Sequence, residues 1–136
     1  CPPGCPPKRL MWQEIEQSTP AVIVLALCSK DPPQAVREIA HHFALNPDIW
    51  RLPAFAAHAP RVYIVPHGPF SRPGPRVVEA VEMMASLLHP TACPPEWAQG
   101  ALGLQPWDAA TVPSESELLA LFQPVCGGPS PAAASV

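Results

Sequence analysis

The sequence predicts a mainly α fold: an irregular helical array, α-solenoid-like, forming part of a larger domain. Two observations predict it. Proline recurs where helices could begin, behind a polar residue, as at Thr19-Pro20, Asp31-Pro32 and Asn46-Pro47. Proline suits the first helical position, because its missing N–H is not needed there and its φ is already helical. The polar residue before it can accept an orphan backbone N–H. The second observation is spacing. Residues 33–45, 75–89 and 114–123 each carry an apolar stripe of helical period, and such a stripe needs a partner surface.

Taken in order, residues 1–7 (Cys-Pro-Pro-Gly-Cys-Pro-Pro) can form neither helix nor central strand and read as a linker. One structured region is expected over 8–126, followed by a flexible tail at 127–136. Within it, Lys8–Gln17 reads as a helix carrying Leu10, Met11 and Ile15. Pro20–Cys28 reads as the next. Residues 33–45 follow, with Val36, Ile39, Ala40 and Phe43 on one face. Asn46-Pro47 opens a short helix over Asp48–Leu52. In 75–89 the expected inner face is Val77, Val81, Met84 and Leu88, with Arg76, Glu79, Glu82 and Ser86 turned away. Cys93-Pro94 opens a helix over Pro95–Leu102. The last, Glu115–Gln123, buries Leu118, Leu121 and Phe122, continued by Val125, and Ser114 and Glu117 stand at capping-box spacing.

Two runs permit a second architecture. Ala21–Leu27 contains Val22-Ile23-Val24, and Arg61–Val65 is the most strand-like run in the chain. If both are strands, near 21–28 and 61–65, the order is β-α-β-α, an α/β fragment with a parallel pair.

The stretch Asp31-Pro-Pro-Gln-Ala-Val36-Arg37-Glu-Ile-Ala40 resembles the start of the second helix of a HEAT repeat. The resemblance covers residues 20–45. It implies a helical hairpin, with Pro20–Cys28 as first helix and Pro32–Leu45 as second, Asp31 as cap and Arg37 reaching a neighbouring repeat. A shift of 41 residues sets Pro32 on Pro73, Val36 on Val77 and Glu38 on Glu79, and a further 41 sets Val77 on Leu118. That period falls within the HEAT and armadillo range.

Composition narrows the function. Proline is 22 of 136 residues but glycine only 7, so the prolines punctuate structure rather than abolish it. Charged residues are 14%, which leaves a surface poor in charge or covered by something else. A net charge of −3, with 8 basic residues thinly spread, lacks the electrostatic footprint of a nucleic-acid or anionic-membrane binder. The longest apolar run, Ala21 to Cys28, is too short to span a bilayer. The chain begins at Cys1 without a basic and apolar leader, and reads as a piece of a longer one. The 5 cysteines are irregularly spaced, which favours reduced thiols and an intracellular setting, cytoplasm or nucleus, over secretion. No second pair completes a zinc site around Cys1 and Cys5.

Catalytic signals are sparse. Cys28, Ser29, Lys30 and Asp31 end one apolar run, and His67-Gly68 end another. Were both runs parallel strands, these residues would meet at the carboxyl edge, where open α/β sheets bind ligands. Ser29 or Cys28 with His67 and Asp31 could then form a nucleophile, base and orienter. The plainer reading makes them a helix cap and a loop. His41 and His42 are neighbours on a helix and diverge by about 100°, and His58, His67 and His89 stand alone. No catalytic, cofactor or metal residue follows. Trp12, Trp50, Trp97 and Trp107 are spread along the chain, and tryptophan is enriched at interface hot spots. Trp97, Leu102, Leu104 and Trp107 are the expected partner-binding residues. The reading is a non-catalytic scaffold segment for protein–protein interaction, bound to protein partners or to the remainder of its own chain. The alternative is a piece of an α/β enzyme domain with its site near Ser29, Asp31 and His67.

Overall fold

A computed structural model describes residues 6, 9–51, 60–71, 74–106, 111 and 113–126. The fold is mixed α/β, not a helical array. A four-stranded sheet has the order β1-β2-β3-β4, from β1 (Val22–Leu25), β2 (Arg61–Ile64), β3 (Leu102–Leu104) and β4 (Phe122–Pro124). β1 and β2 are parallel, while β3 runs antiparallel to β2 and β4 to β3.

The expected helix over Pro20–Cys28 is therefore a strand, and the HEAT-like hairpin does not form. Val22, Ile23 and Val24 carry two heavy atoms on Cβ, which restricts χ1 in a helix and suits a pleated surface. Val22 pairs with Arg61 and Leu25 with Ile64, so β1 gains a ladder that an isolated short helix lacks. β3 and β4 also replace expected helix. The segment from Pro95 makes only a 3-10 turn over Pro95–Ala98. Gly100 then takes φ +86, with the Cβ position that a side chain would need only 3.3 Å from Pro66. The last helix stops at Leu121, because Pro124 disfavours helical backbone at Gln123.

Helices cover both faces of the sheet. Before β1 lies α1 (Trp12–Ser18); the crossover from β1 to β2 carries α2 (Pro32–Leu45) and a 3-10 turn, Pro47–Arg51. After β2 come α3 (His67–Ser71) and α4 (Val77–Leu88), and α5 (Glu115–Leu121) precedes β4. Alternate residues of β2 point to opposite sides. Ile64 packs with Ala35, Val36, Ile39 and Phe122 under α2. Val65, one residue on, packs with Met83, Leu87, Ala98 and Ala101 under α4. α5 seats the fully buried Leu118 against Ala40 of α2.

The caps follow the sequence. Asp31 accepts the Gln34 N–H at 2.8 Å and Gln34 returns the contact at 3.2 Å. The Ser114 hydroxyl donates to Glu117 at 2.6 Å. That hydrogen bond, with a second from the Ser114 backbone, holds the Glu117 carboxyl below its ordinary pKa. α4 departs from expectation. Its buried residues are Ala80, Met83, Ser86 and Leu87, whereas Val77, Val81 and Leu88 are 51%, 63% and 38% exposed. The stripe expected inside faces out. The repeat alignment fails with it, because Val36 is buried and the Val77 set upon it is not. Arg61 closes the carboxyl end of α4, donating to Leu87 O at 3.1 Å and Leu88 O at 3.3 Å.

Ile64→Ala should cost about 2–5 kcal/mol in urea unfolding, since it empties a fully buried site. Val81→Ser should cost less than about 0.5 kcal/mol, as expected of an exposed position; the reverse order would return the outer stripe to the core. Ser114→Ala should bring the Glu117 pKa back up toward its ordinary value in a carboxyl NMR titration. Because that pKa is depressed in the fold, the contact adds stability above the unfolded-state pKa and loses it as pH falls through the folded one.

Candidate functional site

Parallel strands finish on one edge. Beyond β1 the chain turns through Leu27 to Lys30, closed by the Lys30 N–H donating to Leu27 O at 3.3 Å. Beyond β2 it passes through Val65 and Pro66 into α3. The two segments enclose an open cleft of about 420 Å³ lined by Ser29, Lys30, Asp31, Pro32, Pro66, His67, Gly68, Pro69 and Arg76. The sheet thus brings Ser29, Asp31 and His67 together, with Lys30, as the α/β alternative requires. Cys28, a free and exposed thiol, is not among the lining residues.

The roles within that group are unequal. One Asp31 carboxylate oxygen caps α2. No hydrogen bond joins Ser29 to His67 among the described residues, and a nucleophile–base–orienter set is not assembled. Ser29 has another distinction. Its φ is +62, one of two positive values at non-glycine positions among the described residues, the other being Thr19. An L-residue pays on the order of 1–2 kcal/mol there. His67 opens α3, and its Nδ1 is buried with no hydrogen-bond partner among the described residues. An orphaned polar atom of this kind costs about 1–3 kcal/mol, and this one belongs to a ring that lines the cleft.

Two cations complete the rim. Lys30 Nζ lies 3.1 Å from Glu38, with side chains 43% and 56% exposed. Arg76 lies 2.9 Å from Glu79, likewise exposed. The hydrogen bond between them raises the Arg76 pKa and lowers that of Glu79. Exposed pairs of this sort contribute little to stability, so a ligand can draw either cation inward at small cost. Arg76 carries no motif in the sequence; its position just before α4 is the one signal that could have found it. Beside the cleft, and sharing Pro66, Pro69 and Arg76 with it, lies a second hollow of about 250 Å³ lined also by Glu79, Glu82, Met83, Glu96, Trp97 and Gln99.

Of the expected partner-binding residues, Trp97, Leu102 and Leu104 are described. Trp97 is 37% exposed and borders that second hollow. Leu102 and Leu104 are half-buried and pack against the core beneath α2. Trp107, His58, the 1–5 stretch and the 127–136 tail lie outside the described residues, as do the side chains of Trp12 and Trp50. His41 sits 3.5 Å from Glu115 and ties α2 to α5. Among the described residues, no three His, Cys, Asp or Glu side chains gather as metal ligands. Also among them, no helix is long and apolar enough to cross a membrane.

The fold and cleft define a mixed α/β domain with its concavity at the carboxyl edge of a parallel strand pair. No protein-family model, curated protein or solved structure matches the chain.

Ser29→Val should cost about 1–2 kcal/mol in thermal or urea unfolding although the side chain is exposed, because a β-branched residue resists positive φ. Ser29→Gly should cost less than about 0.5 kcal/mol, since glycine accepts that backbone. Equal stability of the two variants would show that the turn is unstrained.

Proposed function

We propose that this chain is the ligand-binding part of an α/β enzyme-type domain, and that it holds a small molecule with an anionic group in the cleft between Ser29–Pro32 and Pro66–Pro69. One observation carries the reading: the parallel β1–β2 pair delivers Ser29, Lys30 and His67 to the same cleft from distant parts of the chain. Open α/β sheets hold ligands at this edge as a rule. The size of the cleft suits a small molecule. Its chemistry favours an anion, since Lys30 and Arg76 stand on the rim while Asp31 is engaged as a cap. The Ser29 hydroxyl and the His67 ring are the groups that would meet the ligand, and Asp31 holds the helix beneath them.

The probe is inorganic phosphate, titrated to millimolar concentration against the amide NMR signals of the protein. Saturable shifts confined to residues 29–31 and 67–68, weakened several-fold by Lys30→Ala and by Arg76→Gln, are expected. Shifts that never saturate, or that spread evenly over the surface, would exclude the anion site.

A further inference from the structure

We propose, resting on the anion site above, that the cleft and the second hollow are two halves of one site divided by Arg76, and that its ligand carries a cationic organic group at the end opposite the anion. The two hollows share Pro66, Pro69 and Arg76. The Arg76 guanidinium faces both. Its Nε and Nη2 donate to Glu79, which lines the hollow, at 3.0 and 2.9 Å. Its Nη1 stands over Gly68, which lines the cleft, 3.3 Å from the position a Cβ would occupy there. The absence of a side chain at Gly68 lets the guanidinium lie this close to the backbone. The hydrogen bonds to Glu79 use Nε and Nη2 alone. A guanidinium holds its five donors in one rigid plane, so the edge toward Gly68 keeps donors for an anion while the other edge stays bound.

The hollow has the opposite character to the cleft. Glu82 and Glu96 line it, and among the described residues neither is ion-paired. Trp97 stands beside them, 37% exposed. The face of an indole attracts a cation through its ring quadrupole, more strongly than any other side chain ring, and the carboxylates add charge of the same sign. The cation among the lining residues, Arg76, is engaged with Glu79, whereas Lys30 belongs to the cleft. Two adjoining hollows of opposite sign, with one wall in common, are complementary to a molecule that is itself dipolar. The aromatic face favours an amine or quaternary ammonium on a carbon chain over a bare metal ion, which would want oxygen ligands alone.

The experiment follows the amide signals and the Trp97 indole N–H of the full chain by NMR at fixed ionic strength. The probes are inorganic phosphate, choline, phosphocholine, which joins the two, and a longer aminoalkyl phosphate to span a wider gap. A joined probe is expected to shift residues 29–31 and 96–99 together and to bind about fivefold tighter than phosphate. Trp97→Ala and Glu96→Gln, both at exposed positions, should each remove most of that gain and leave the circular dichroism unchanged. Phosphate that saturates at 29–31 while neither joined probe binds more tightly overturns the dipolar ligand and leaves the anion site standing. A gain that survives both variants places the cationic end elsewhere and overturns it equally. Absence of any saturable phosphate site removes the anion site, and the dipolar ligand falls with it.

Discussion

The structure depends on the parallel pairing of β1 with β2. Parallel neighbours cannot be joined by a tight turn, because the chain must return to the starting edge before the second strand begins. That return carries α2 and the 3-10 turn after it, and it buries Ala35, Val36 and Ile39 on one face of the sheet. The same pairing brings the ends of both strands to one edge. The turn over Leu27 to Lys30 and the start of α3 thus become neighbours, and the cleft exists because the ladder does. Val22 against Arg61 sets the register. A slip of one residue would turn Ile64 away from α2 and Val65 toward it.

The second constraint is that the sheet is covered on both faces by helices of unequal fit. α2 and α5 present narrow stripes and bury them almost completely, down to Leu118, which is fully enclosed. α4 is apolar on most of its circumference, and the sheet can accept only one side. It takes the smaller and more flexible set, Ala80, Met83 and Leu87, together with Ser86, and leaves three valines facing outward. Small residues let the helix lie close to the 3-10 turn at Pro95–Ala98, and Met83 fills the irregular space beside Val65.

This explains which features were readable in the sequence. The Asp31 cap and the Ser114–Glu117 capping box were, because each uses residues three apart and depends on nothing distant. So was the inner face of α2, whose polar flanks leave one choice of side. The face of α4 was not: Val77-Val78, Ala80-Val81, Met83-Met84-Ala85 and Leu87-Leu88 satisfy a helical period on more than one side, so periodicity cannot choose between them. β3 and β4 are three residues each, shorter than any alternation can show, and only their pairing partners make them strands. The cleft was readable in part. Ser29, Lys30, Asp31 and His67 end apolar runs, so they converge once both runs are taken as parallel strands. Arg76 lines the cleft from its place just before α4, and no motif marks it.

Strand order in this sheet equals chain order. Each strand after the first pairs with the one synthesised just before it, and no strand must be threaded between two that already touch. A chain leaving the ribosome can therefore lay the sheet down by successive addition at a single growing margin, with α2 bridging β1 and β2. The nascent protein always exposes one fresh margin and completes the old one as it lengthens. Vectorial synthesis and sheet growth proceed in the same direction, so the assembly order is built into the topology.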